Sequence, residues 1–222
     1  MPNRFSAAEL AAIPAVLSAP RFQTYLSESG GDTSKALSLY HWNAQISAAF
    51  LIPLHVFEVA IRNAVSAAAE RAYGANWPWH TSFVTSLPSP AVPNFNPRLA
   101  LTKTAARHPT TGKVIADMNF AFWVSMFTAR HEGRLWTPSL RSEFPMLPPA
   151  VSVKMARAEI HGIANQVREL RNRIAHHEPI FRRDLAADYA AMELVTSYRC
   201  ALTAAWLRRS HTVASLLLMR PS

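Results

Sequence analysis

From Asp32 to Tyr73 the chain carries no glycine and a single proline, Pro53, and glycines stand at both ends, Gly30-Gly31 before it and Gly74 after it. A stretch of this length without turn residues, with apolar side chains recurring at helical spacing, can only be a long helix. Asp32 or Thr33 is suited to cap its start and Gly74 to end it. Pro53 lacks the amide hydrogen an uninterrupted helix needs, so it kinks the helix or divides it.

The rest of the chain follows the same period. Ser6-Ala-Ala-Glu9 is a capping-box pattern opening a short helix to Leu17, and a second short helix spans about Arg21 to Leu26. Residues 76 to 97 interleave prolines with Trp77, Trp79, Phe83 and Phe95, the pattern of an ordered loop anchored by aromatics. Further helices are expected around Arg98 to Arg107, from Ile115 to Ala129 as an aromatic core helix, from near Ala150 to about His177, where Pro179 stops it, and from about Asp184 to Arg209. No stretch alternates apolar and polar residues between hairpin turns. With only six glycines, half the residues apolar and 17% charged, the composition disfavours disorder and turn-rich β architectures. The expected fold class is all-α. The 222 residues are expected to form a single domain, with an N-terminal helical extension over 1–30, a core over 34–209 and a C-terminal tail over 210–222.

Lysine and arginine exceed acids by nine, so the surface attracts polyanions, and nucleic acid is the first partner to consider. Charge alone does not decide it, because many soluble proteins are equally basic. Cys200 is the only cysteine, which excludes an internal disulfide and a cysteine zinc site; its apolar helical surroundings predict a small packed hydrophobe. The start of the chain lacks the layout of a secretion signal. The strongest membrane candidate, Ala48 to Ala69, holds Glu58, Arg62 and Asn63 near its middle, where a bilayer would penalise them. The expectation is a cytoplasmic protein with no membrane partner.

Chemistry concentrates in Arg171-Asn-Arg-Ile-Ala-His-His177. A guanidinium holds a phosphate through paired hydrogen bonds and an imidazole moves protons near neutral pH, a minimal kit for phosphodiester cleavage. On a wheel of about 100° per residue, Ala156, Ile160, Ile163, Val167, Leu170 and Ile174 form one apolar stripe, and Asn172 and His176 share the opposite side with His161, Asn165, Arg168 and Glu169. Arg171 lies about 140° from His176 on a regular helix, so the two can cooperate only if the last turn loosens or a second chain contributes. The bland reading is a solvated face whose histidines favour the helix C-terminal dipole.

A second cluster lies between Ala48 and Ala69. His55, Glu58, Arg62 and Ser66 form a narrow polar stripe on an otherwise apolar helix, with Asn63 beside it. Glu58 and Arg62 are spaced for an ion pair, and such charges line a cavity, an interface or a site, or else lock the core as a buried salt bridge. If both clusters face one groove, it is a phosphate and ribose pocket. Other candidates are weaker. His131-Glu132 lacks the second histidine of a zinc-protease helix, no glycine-rich phosphate loop is present, and the nine histidines form no metal-ligand pattern. Tyr40-His41-Trp42-Asn43 and the Phe120 to Phe127 run offer rings for base stacking, but aromatics at helical spacing are more often core.

Taken in order, Leu39-Tyr-His-Trp-Asn43, Phe50 with Leu54-His-Val-Phe-Glu58, Ile61-Arg-Asn63, Asn119-Phe-Ala-Phe-Trp123 and Arg171 to His177 resemble the Abi-like family of bacterial abortive-infection proteins, over roughly residues 35 to 180. The last motif is similar to the arginine-to-histidine signature of the HEPN superfamily, whose members are helical bundles and often metal-independent ribonucleases. Ala121 departs from the glycine expected in the aromatic motif. The resemblance implies a HEPN-like bundle with Arg171, Asn172 and His176 catalytic, His177 also at a permitted spacing, and Glu58, Arg62 and Asn63 in support. It implies RNA as substrate, no cofactor and no metal, and a homodimer whose two signatures meet in a composite cleft. Phage defence or a toxin-antitoxin system is the setting it implies, with an antitoxin protein or a regulatory small RNA as further partner. The alternative is a non-catalytic RNA- or protein-binding helical module on the same fold.

Overall fold

The computed structural model describes residues 5–221, and among them there are helices and no strand. The elements run α1 (Ala7–Val16), α2 (Ala19–Glu28), α3 (Thr33–Ala49), α4 (Leu51–Tyr73), a 3-10 turn (Trp77–Trp79), α5 (Thr81–Ser86), α6 (Pro97–Ala105), α7 (Thr111–Asp117), α8 (Phe120–Ser125), a π-helical turn (Glu132–Trp136), α9 (Thr137–Glu143), α10 (Val153–Ala175), α11 (Leu185–Arg199), α12 (Ala201–Arg209) and α13 (Val213–Leu217).

Local chemistry sets most of the boundaries. The Ser6 hydroxyl accepts from Glu9 N–H at 3.3 Å while the Glu9 carboxylate accepts from Ser6 N–H at 2.7 Å, closing the capping box of α1. Asp32 caps α3 by accepting from Lys35 N–H at 3.0 Å, and Gly74, at φ 83°, ends α4. Pro53 has no amide hydrogen to offer the Ala49 carbonyl, and the long helix bends at Phe50, whose own carbonyl still accepts from Leu54 N–H at 3.0 Å. The 33–73 run is long and apolar enough to cross a membrane by composition, with a mean hydropathy of 1.6 in its most apolar window. Here α4 forms the spine of the bundle, packed against α8, α9 and α11.

Three expected elements are drawn differently. The Ile115 to Ala129 helix is two, because Asn119 turns its side chain back to accept from Phe122 N–H at 3.0 Å and starts α8 afresh. The final long helix is broken at Cys200 (φ −160°, ψ 114°), where Met146 N–H takes the Tyr198 carbonyl at 2.9 Å that a continuous helix would use itself. Cys200 is therefore a half-exposed hinge residue beginning α12 rather than a packed core side chain, and hydrogen bonds from Thr203 and Leu202 hold its thiol below its usual pKa. The 76–97 segment is partly helical, with Trp77 and Phe83 buried in edge-to-face contact at 5.4 Å between ring centroids.

One hydrophobic cluster runs through α2 to α11 and reaches α13. Phe127 and Trp136 stack at 4.2 Å within it, and the π-helical turn beside them anchors α10. Arg157 near the start of α10 pairs with Glu132 at 2.8 Å and donates to the Phe127 carbonyl. Ala156, Ile160, Ala164, Val167 and Leu170 bury the apolar stripe of α10 against this core, with Ile163 and Ile174 half-buried at its edge. That burial leaves the last turn of α10 projecting at the surface.

Candidate functional site

The end of α10 is a Schellman closure. Its helix stops at Ala175, earlier than the expected His177; His177 N–H donates to the Ile174 carbonyl at 3.1 Å and Glu178 N–H to the Arg173 carbonyl at 2.8 Å. This motif places one residue in the left-handed region, a position usually given to glycine, and here His177 occupies it at φ 55°. The strain is held from outside, by Arg21 donating to the His177 carbonyl at 3.2 Å and by Ile180 N–H donating to the Asn43 side chain at 2.8 Å. His176, at φ −94° and ψ 8°, has already left helical register. Its side chain and that of Asn172 are exposed.

Arg171 is the point where the two sequence clusters meet. Its Nε lies 3.6 Å from Glu58 Oε1 on α4, an ion pair rather than a hydrogen bond. The expected Glu58–Arg62 pair does not form, because Glu58 leans across to α10 instead of along its own helix. Arg62 keeps its Nε buried without a hydrogen-bond partner among the described residues. Burial pushes the Glu58 carboxyl above its usual pKa despite the opposing pull of Arg171, His55 and Arg62, so desolvation outweighs them together. Neither terminal nitrogen of Arg171 has a hydrogen-bond partner among the described residues, and the pair of them suits a phosphate.

The remaining members of the stripe go elsewhere. Ser66 is buried and accepts from Trp77 Nε1 at 3.3 Å, a core contact. Asn63 is exposed, and His55 belongs to a separate cleft of about 330 Å³ walled by Val59, Cys200 and Trp206. Trp42 is core, its Nε1 donating to the Leu216 carbonyl at 2.7 Å, and half-buried Ala121 sits within α8. His131 is buried with its Nε2 unpartnered, and Glu132 serves Arg157. No cluster of three or more His, Cys, Asp or Glu side chains arranged for a metal occurs among the described residues.

Neither a family model, a curated protein nor a solved structure matches the chain.

Sequence reasoning missed what lies on the other side of His177. A cleft of about 420 Å³ opens between α3 and the end of α10, lined by Tyr25, Tyr40, Asn43, Ser47 and His177 over an apolar wall that includes Ala48 and Ile174. Its residues come from α2, α3, the start of α4 and the end of α10 with the turn that follows, and the Asn43–Ile180 contact joins positions 137 apart. No local pattern carries such a contact. Chemically, the end of α10 offers a guanidinium, an amide and two imidazoles, of which the His177 imidazole lines this cleft.

Proposed function

We propose that this chain is a metal-independent endoribonuclease of the HEPN type, cutting RNA by attack of a ribose 2′-hydroxyl on the neighbouring phosphate. The observation that carries the reading is the Glu58–Arg171 pair: it orients Arg171 and leaves its terminal nitrogens without a hydrogen-bond partner among the described residues, at the same end of α10 as exposed Asn172 and His176. The resemblance of residues 171–177 to the arginine-to-histidine signature supports the same assignment.

In this mechanism His176 accepts the proton of the 2′-hydroxyl or delivers one to the leaving 5′-oxygen, and Arg171 stabilises the charge that builds on the phosphorane-like transition state. Asn172 orients the imidazole or a phosphate oxygen. Glu58 fixes Arg171, Arg62 adds positive potential behind it, and His177 lines the neighbouring cleft, while exposed Asn63 takes no part. Products are a 2′,3′-cyclic phosphate and a 5′-hydroxyl, and DNA is spared because it lacks the nucleophile. Arg171 and His176 diverge around the end of α10, so a homodimer that brings two turns together supplies the composite cleft. The proposed setting is cytoplasmic, in phage defence or a toxin-antitoxin system, with an antitoxin protein or small RNA as restraint.

The test is incubation of purified protein with total RNA in excess chelator, comparing wild type with His176→Ala. The reading expects cyclic-phosphate fragments from wild type and a rate lower by about 10²-fold or more in the variant. Fragments with 5′-phosphates, or equal rates, contradict it. RNA binding without cleavage, lost in Arg171→Ala but kept in His176→Ala, would instead mark a non-catalytic binding module.

A further inference from the structure

The cleft beside His177 has the composition of a site for a small, flat, neutral group. Its wall is apolar, from Ala44, Ala48 and Leu51 on one side and Ile174 and Ala175 on the other, and no carboxylate, lysine or arginine lines it. Charge therefore does not select the occupant. Its polar groups do. Tyr25 is 1% exposed, and its hydroxyl has no hydrogen-bond partner among the described residues. Asn43 is 6% exposed; its Oδ1 is committed to Ile180 N–H, which leaves Nδ2 without an acceptor. Both residues line the cleft, so an occupant there meets a hydroxyl and an amide that no neighbour has claimed. The third is the His177 imidazole, brought there by a left-handed backbone that a histidine adopts only at a cost. Tyr40, half-buried and edge-on to Tyr25 at 5.0 Å between centroids, adds an aromatic wall.

A buried hydroxyl, an amide donor and an imidazole around an apolar slot beside an aromatic ring match a heterocycle with alternating donors and acceptors on its edge. We infer that this cleft seats one nucleobase of a single-stranded RNA, next to the phosphodiester held by Arg171. The inference rests on the ribonuclease reading for its substrate class. The cleft's volume of about 420 Å³ is ample for one base with its sugar. Stacking on Tyr40 would favour any base, and the Asn43 Nδ2 donor would select among them. Because His177 belongs both to this cleft and to the C-terminal closure of α10, an occupied base site aligns the chain at the turn that carries His176.

Two measurements on the purified full-length chain test this. Titration of the four nucleoside 3′-monophosphates, followed by NMR shifts, should give saturable binding of at least one of them. Tyr40→Leu should weaken it by about 10-fold, the scale of losing one aromatic stack. Asn43→Asp keeps the acceptor for Ile180 N–H but turns the free donor into an acceptor, so it should change which nucleotide binds best and which base adjoins the mapped cut sites. Ala48→Trp places a ring into the cleft from an exposed position without removing any packing, and should abolish binding even if the other variants fold poorly. Wild-type cleavage whose affinity and cut-site preference are unchanged in folded Tyr40→Leu and Ala48→Trp overturns the base site and leaves the ribonuclease reading standing. Mononucleotide binding lost in these variants, from a protein that cuts no RNA, keeps the base site and removes the nuclease. Absence of both removes both. A shift of oligomeric state in Ala48→Trp with nucleotide binding intact would assign the cleft to a contact between copies and overturn the proposal.

Discussion

His131 gives the fold a calculable sensitivity to acid. Its side chain lies at the π-helical turn that anchors α10, only 5% exposed and with Nε2 unpartnered, and burial pushes its pKa down to about 4 from the ordinary 6.5. The folded protein therefore refuses a proton that the unfolded chain accepts. Stability from this group is fully present above about 6.5 and drains as pH falls towards 4, because protonation then favours unfolding. A separation of about 2.5 units at about 1.4 kcal/mol each amounts to about 3 kcal/mol, of which about 2 kcal/mol is already lost at pH 5. Burial also lowers His161 and His211, which steepen the total acid loss in the same direction. Comparison with His131→Leu isolates the single group, since the substitution removes the proton site and an unpartnered buried atom while retaining apolar bulk. Urea unfolding of both proteins at pH 7 and pH 5 provides the double difference. Wild type should lose about 2 kcal/mol more than the variant over that interval. Parallel losses would show that His131 does not titrate against burial, and would refute the packing described at this turn.

Two further outcomes follow from the turn of α10. Glu58 has a raised pKa, so its stabilising protonation is present below the carboxylate range and lost as pH rises through the raised value; Glu58→Gln should melt no lower than wild type at pH 7. The same variant frees Arg171, and RNA cleavage should fall by up to about 10²-fold through misplacement alone, a split between stability and rate read by calorimetry and a cleavage assay. His177→Gly should raise stability by about 1 kcal/mol in urea unfolding, because glycine meets the left-handed position without a side-chain clash, and it should blunt nucleotide binding in the cleft.

The sequence spoke clearly where structure is local. Ser6 with Glu9, Asp32 and Gly74 announced helix ends through their own side chains or lack of one, and Ala156, Ile160, Val167 and Leu170 of the α10 stripe are buried as their spacing requires, with Ile163 half-buried at its edge. It was silent where a distant group decides. Cys200 breaks a helix because Met146 claims a carbonyl, Glu58 abandons its neighbour Arg62 for Arg171, and Asn43 takes the Ile180 amide from across the fold. Helical extrapolation also failed at His177, since a wheel assumes a regular backbone and the Schellman closure ends it two residues earlier. The candidate residues on 171–177 could thus be named from sequence, while the partner that orients Arg171 and the cleft beside it could not.

In the proposed reaction the 2′-hydroxyl at the cut bond is the nucleophile, with Arg171 and His176 acting on it. The most direct measurement uses a synthetic single-stranded RNA containing a mapped cut site, with and without a single 2′-deoxy substitution at the nucleotide on the 5′ side of that bond, incubated with the purified protein in excess chelator. The account predicts that cleavage at this bond disappears in the substituted strand while other sites in the same molecule are still cut. Cleavage of the deoxy-substituted bond at the unsubstituted rate would contradict it.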